Sequence, residues 1–171
     1  MNASKTNRVT VDLTPYPDLV VIYLGMRVNA IAGVKTLLGF GPKIAKSVEA
    51  KPDGLLLHEP IFYSLRHVGM RQYWRDFESL ERWSRSEPHK IWWQQFLKDA
   101  GGTGFWHETY LKRGGMEAVY LNMEVPTGFA RFAPALAARG SMFSARRRAG
   151  MAGETNTAPP VGEDELYRAA G

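Results

Sequence analysis

The chain has no cysteine. That excludes a disulfide framework, a thiolate metal site and a cysteine nucleophile. It fits a reducing compartment, so a cytoplasmic location is expected. Long apolar runs are missing too. The longest, Leu19 to Met26, is interrupted by Tyr23 and Gly25, and falls far short of the roughly 20 residues that span a bilayer. No membrane contact is expected, and no apolar signal core follows the N-terminal charges.

Cofactor motifs are absent as well. Gly39-x-Gly41 precedes Pro42 at a helix break, and Gly101-Gly102-x-Gly104 follows a helix and enters a strand. A dinucleotide loop needs the reverse order. No G-x-S-x-G occurs. His58-Glu59 and His107-Glu108 have no second histidine at the zinc-protease spacing. Nicotinamide, flavin, nucleotide and metal therefore have no motif behind them, and the expectation is no cofactor. Charge is modest: 22 Lys and Arg against 17 Asp and Glu, a net +5. The one basic cluster, Arg146-Arg147-Arg148, reads as part of a solvated tail. No nucleic-acid partner is expected.

Aromatic residues are what the chain has in concentration. All five tryptophans (Trp74, Trp83, Trp92, Trp93, Trp106) fall between Arg71 and Tyr110, with His89 and His107. Such a stretch suits an apolar pocket with a few polar handles. It suits an aromatic core equally well.

In chain order, residues 1–17 read as an N-terminal arm or edge strand, closed by Pro15 and Pro17. Asp18 to Asn29, rich in Val, Ile and Tyr, is a strand. Ala30 to Lys51 is helical in two pieces, broken at Gly39 and Gly41-Pro42 and burying Ile31, Val34, Leu37, Leu38, Ile44, Ala45 and Val48. Gly54 to Tyr63 and His67 to Arg75 form a hairpin, with Pro60 marking an edge or bulge. Asp76 caps the next helix, and Ser86 caps its continuation, where His89, Trp92, Trp93, Phe96 and Leu97 share one face. Gly104 to Leu111 and Met116 to Met123 form a second hairpin across Arg113-Gly114-Gly115. Phe129, Phe132 and Leu136 suit one short helix. Residues 139–171 read as a disordered tail, with Glu163 to Ala170 a marginal terminal helix. The order β-α-β-β-α-β-β is an α+β, ferredoxin-like arrangement over residues 18–138. Helices on one sheet face leave the other for a partner subunit, which predicts a homodimer.

Four stretches carry a family resemblance. They are Val20 to Asn29 (VVIYLGMRVN), Gln72 to Leu80 (QYWRDFESL), Trp106 to Tyr110 (WHETY) and Glu117 to Met123 (EAVYLNM). Together they resemble the small monooxygenase-like family named after an enzyme of fumagillin biosynthesis, near the antibiotic-biosynthesis monooxygenases. The resemblance covers roughly residues 9–130. It implies a dimeric α+β barrel, with each cavity between its own sheet and helices. Relatives there include cofactor-free oxygenases, haem-degrading enzymes, haem-dependent dehydratases and peroxidases, and stress-response binding modules. Fold alone does not choose among them.

The leading expectation is a small oxygenase of secondary metabolism or detoxification, acting on an apolar aromatic, polyketide or terpenoid substrate without flavin or nicotinamide. Trp74, Trp83, Trp93, Trp106, Tyr23 and Tyr110 would line its site. His107, or else His89, would act as base, since imidazole titrates near neutrality. Arg27 and Asn29 would stabilise developing negative charge; a salt bridge from Arg27 to Glu59 or Glu117 is the alternative. His89 sits in the first helical turn, where the dipole favours neutral imidazole. Two other readings stand beside this one. The same fold could hold haem, with His89 or His107 as axial ligand. Or it could be a dimeric binding module for an apolar metabolite.

Overall fold

Alternating β-branched and aromatic residues make Val20–Val28 the strand on which the others are registered. In the computed structural model, described for residues 7–113, 116–118, 120–121, 126, 128–143, 145–148 and 163–164, this is β2. The strand β1 (Arg8–Val11) precedes it. Helix α1 (Ala32–Glu49), strands β3 (Leu55–Ser64) and β4 (His67–Trp74), helices α2 (Phe77–Arg85) and α3 (His89–Lys98), and strand β5 (Thr103–Leu111) follow. Then come β6 (Tyr120–Leu121), β7 (Ala135–Ala137) and α4 (Ala145–Arg148), with 3-10 turns at Gly128–Arg131 and Gly140–Met142. The chain divides into two units, residues 18–111 and residues 1–17 with 112–171.

The unit 18–111 is an antiparallel sheet in the order β3-β4-β2-β5. Leu24 lies opposite Met70 on one side and His107 on the other. The connection β2-α1-β3-β4-α2-α3-β5 is ferredoxin-like, as expected. The expected barrel is corrected: β3 and β5 are both edges, and neither sheet closes among the described residues. Closure needs strand tilt and stagger shared over more strands, about eight in small barrels; four leave two free edges. Pro60 lies on edge strand β3, which carries irregularities at both ends. The core gathers Val20, Trp74 and Leu80, with Ile22, Leu55 and Trp83 against it. Asp76 caps α2 as expected, its carboxylate accepting from the Ser79 N–H at 2.6 Å.

Two helix expectations change. α1 is one helix of 18 residues with Pro42 inside it. Its inner stripe, Gly33, Leu37, Phe40, Ile44 and Val48, is continuous across the proline, and this packing outweighs the hydrogen bond that Pro42 removes. Ile31, Val34, Leu38 and Ala45 lie outside that stripe and are exposed. Ser86 does not cap α3. Its hydroxyl donates to the Trp83 carbonyl and closes α2 instead.

In the second unit β1 is central, not an edge. The sheet order is β6-β1-β7, with Val9 opposite both Tyr120 and Ala137. Thus β6 pairs with β1 and not with β5, although a turn signal sits between β5 and β6; Gly114 and Gly115 lie outside the described residues. A turn signal is local, whereas pairing goes to whichever strand has free backbone groups to satisfy. Leu136 is in a strand, not a helix. Part of the expected disordered tail is ordered. The Arg8 guanidinium donates to the Ala138 and Phe143 carbonyls. Arg148, its side chain only 5% exposed, pairs with Glu117 at 2.9 Å and donates to the Met142 and Phe143 carbonyls. Arg148 therefore holds a turn rather than facing solvent. Glu163 and Asp164 are helical; the rest of the expected terminal helix lies outside the described residues.

Candidate active site

Strand alternation decides which side chains can meet. Ile22, Leu24 and Met26 of β2 point to the helix-covered side of the sheet, joined there by Phe105, His107 and Thr109 of β5. Phe40 and Ile44 of α1, Leu80 and Trp83 of α2, and Trp92 and Phe96 of α3 roof this floor. They enclose a cavity of about 580 Å³, within the range of small-molecule sites. Its wall is mainly apolar. Charge enters through Glu81 and Arg85, which pair with each other at 2.6 Å one helical turn apart.

His89 is the unusual polar group on that wall. Its ring lies 3.8 Å from the centre of Trp83 and 4.9 Å from that of Trp92. Its Nδ1 is buried without a hydrogen-bond partner. Burial against indole pushes its pKa down to about 4, because the charged form would lose its water. The imidazole is therefore neutral at physiological pH and free of protein bonds at Nδ1. His107 lies on the sheet floor, exposed, with Phe105 at 5.9 Å.

Gln72 belongs to the wall but is fully buried. It accepts from the Trp74 indole N–H at 3.1 Å and meets His58 Nδ1 at 3.3 Å. Those bonds hold Trp74 in the core rather than in the lining. Burial also lowers the His58 pKa, which makes His58 a neutral part of the same structural chain.

The expected site residues thus fall into groups. His89, His107, Trp83 and Trp93 line the cavity. Trp106, Tyr23, Tyr110 and Arg27 alternate to the opposite sheet face. There the Trp106 indole N–H donates to His67 Nε2 at 2.8 Å, and Tyr63 stacks on His67 at 4.5 Å. The Tyr23 hydroxyl accepts from Arg71 at 3.0 Å, and Arg71 also takes Glu59 at 2.7 Å. Tyr110 donates to Glu108 at 2.5 Å, which raises its pKa. Arg27 is exposed, and both acids suggested as its partners are taken: Glu59 by Arg71, Glu117 by Arg148. Asn29 lies beyond the end of β2 beside Gly104. Phe40, Phe77, Phe105 and Gln72 were missed as lining residues. For Phe105 and Gln72 the period-two pattern of their strands was the available signal. Among the described residues no group of three or more His, Asp or Glu could hold a metal ion.

A family model described as monooxygenase af470-like matches residues 19–129. The chain belongs to that family. The match takes in every residue lining the cavity and leaves out β1 and β7. None of the curated proteins matches the chain. Among solved structures, an aldoxime dehydratase (OxdRE) in complex with butyraldoxime is similar, with a TM-score of 0.63 at 21% identity over 85% of this chain and 43% of its own. A second aldoxime dehydratase gives a TM-score of 0.59 at 20% identity, over 77% and 39%. The chain spans less than half the length of either. Identities this low establish a shared fold, and activity has to be argued from this member's own cavity. No helix among the described residues is long and apolar enough to cross a membrane.

Proposed function

We propose that this monooxygenase af470-like protein is a haem-dependent enzyme, of dehydratase type, acting on a small apolar metabolite bound in the cavity. The observation that carries the reading is His89, a neutral imidazole with an unbonded buried nitrogen, set in an apolar wall. A haem asks for one axial imidazole and apolar walls, and this donor set fits both needs. His89 would hold it in the part of the cavity lined by Trp83, Trp92 and Phe96. Bound haem would supply the iron that polarises or oxidises a substrate atom. The chain's own residues do the rest. Phe105, Leu24 and Met26 exclude water from the floor, and His107, on that floor, carries the proton to or from the substrate. The similarity in fold to two aldoxime dehydratases, one of them holding butyraldoxime, supports the class of substrate.

The test is an absorbance titration with hemin. The expected result is a sharp Soret band that is lost in His89→Ala and kept in His107→Ala, with aldoxime turnover impaired in both. A featureless titration of the wild type would sink the reading.

A second reading has its own support. His107 presents an imidazole on the cavity floor, where it is exposed, and the family's description is that of a monooxygenase. A cofactor-free oxygenase would use His107 to deprotonate an electron-rich substrate, whose anion then reduces O2. Oxygen uptake by metal-free protein with a phenol or quinol, abolished in His107→Ala, would favour it over the haem reading. A homodimer stays part of both readings: a second copy would bring the assembly near the length of the similar dehydratases, and sedimentation velocity would detect it.

A further inference from the structure

Three segments of the unit 18–111 meet at one end of its sheet. The Val28 N–H donates to the Arg66 carbonyl in the β3–β4 turn at 2.8 Å, and Val28 lies opposite Thr103 at the start of β5. The β3–β4 turn, the β2–α1 junction and the α3–β5 loop therefore share that end.

Apolar side chains are exposed there to an unusual degree. Ile31 is 93% exposed and Leu65 91%, the two highest values among the described large hydrophobic residues. Phe62, on β3 close to the same turn, is 68% exposed. Cations gather at the same end. Arg27, Lys35, Arg66 and Lys98 are all exposed, and none forms an ion pair among the described residues. The nearby acid, Asp99, accepts from the Gly101 N–H at 2.8 Å. Elsewhere in this unit arginines are paired, Arg71 with Glu59, Arg75 with Asp53 and Arg85 with Glu81. Unpaired cations around protruding aliphatic groups are complementary to a surface that is both apolar and anionic. A second copy is a poor match, since it would set the same four cations against these four.

We propose that this end of the protein docks peripherally on an anionic lipid surface. Leu65, Ile31 and Phe62 enter the boundary between headgroups and acyl chains, while Arg27, Lys35, Arg66 and Lys98 meet lipid phosphates. No run in the sequence marks this end for a membrane, because its residues are scattered along the chain from Arg27 to Lys98 and only the fold assembles them. The proposal is independent of whether the cavity holds haem.

The experiment is co-sedimentation of the full chain with vesicles of phosphatidylcholine, alone or with phosphatidylserine, at low and high salt. Ile31→Ser/Leu65→Ser removes the apolar contacts and Arg27→Glu/Arg66→Glu reverses the charge. Ile91→Ser, an exposed apolar position elsewhere on α3, is the control, and thermal unfolding checks that each variant folds. The expected result is binding to phosphatidylserine vesicles that weakens about tenfold or more in both double variants, persists in Ile91→Ser and fades at high salt. Wild-type protein that ignores these vesicles, or that binds no better than the double variants, overturns the proposal. So does an apolar variant whose only change is loss of self-association in sedimentation velocity, which would make this end a contact between copies.

Discussion

At the scale of single residues, His89 sets a pH dependence whose sign is fixed by its environment. Its folded pKa, about 4, lies below the ordinary 6.5. Between those values the unfolded chain binds more protons, so stability falls as pH drops from about 6.5 to 4 and levels off below. Above that window His89 contributes nothing to the slope. His89→Phe should reduce the pH dependence of the urea midpoint across this range, leaving the part that half-buried His58 contributes, and a slope equal to wild type would show that His89 is not the group responsible. Gly25 is the second such residue. A Cβ there would lie 2.8 Å from Trp106 Nε1 and 2.9 Å from the Val68 carbonyl oxygen. Gly25→Ala should therefore cost about 1–3 kcal/mol in denaturant unfolding and disturb the Trp106–His67 bond; a neutral effect would mean that the indole swings away freely. Asp76 as a cap was legible in the sequence, because it depends on a neighbour three positions away; the neutrality of His89 was expected from the helix dipole, whereas burial against Trp83 and Trp92 is what produces it. The partners of Arg71, at positions 23 and 59, were not legible, since they lie on other strands.

At the scale of elements, α1 shows where local signals lose. Two glycines and a proline announced a break, yet the helix runs through them because its inner stripe stays in phase. Pro42 leaves the Leu38 carbonyl without its helical donor. Pro42→Ala should raise stability by about 1–3 kcal/mol, read from the urea midpoint, and no gain would mean that the helix has already adjusted to the ring. The strands were more legible. β2, β3, β4 and β5 fall within a residue or two of their expected bounds, because period-two alternation and β-branched residues persist over eight to ten positions. The short strands β6 and β7 carry too few residues for a period to register.

At the scale of the whole molecule, Arg148 tests the independence of the two units. Replacing it by Met removes a nearly buried charge and strands Glu117 and two carbonyls. Glu117 is exposed and stays hydrated, so the cost is mainly that of the two carbonyls, about 1–3 kcal/mol. Hydrogen exchange should then show β1 losing protection while β2 and β4 keep theirs; equal loss in both would mean that the units unfold together. The ferredoxin-like order of elements, the family, and the aromatic stretch from which the cavity roof is made could all be read along the chain, because periodicity, caps and turns act over a few residues. Tertiary structure alone decided that neither sheet closes, that β6 joins β1, and that Trp106, Tyr23 and Tyr110 stand on the opposite face from His89. Each of those outcomes rests on pairing between distant segments, where the choice of partner strand fixes which side of the sheet a side chain shares and with whom.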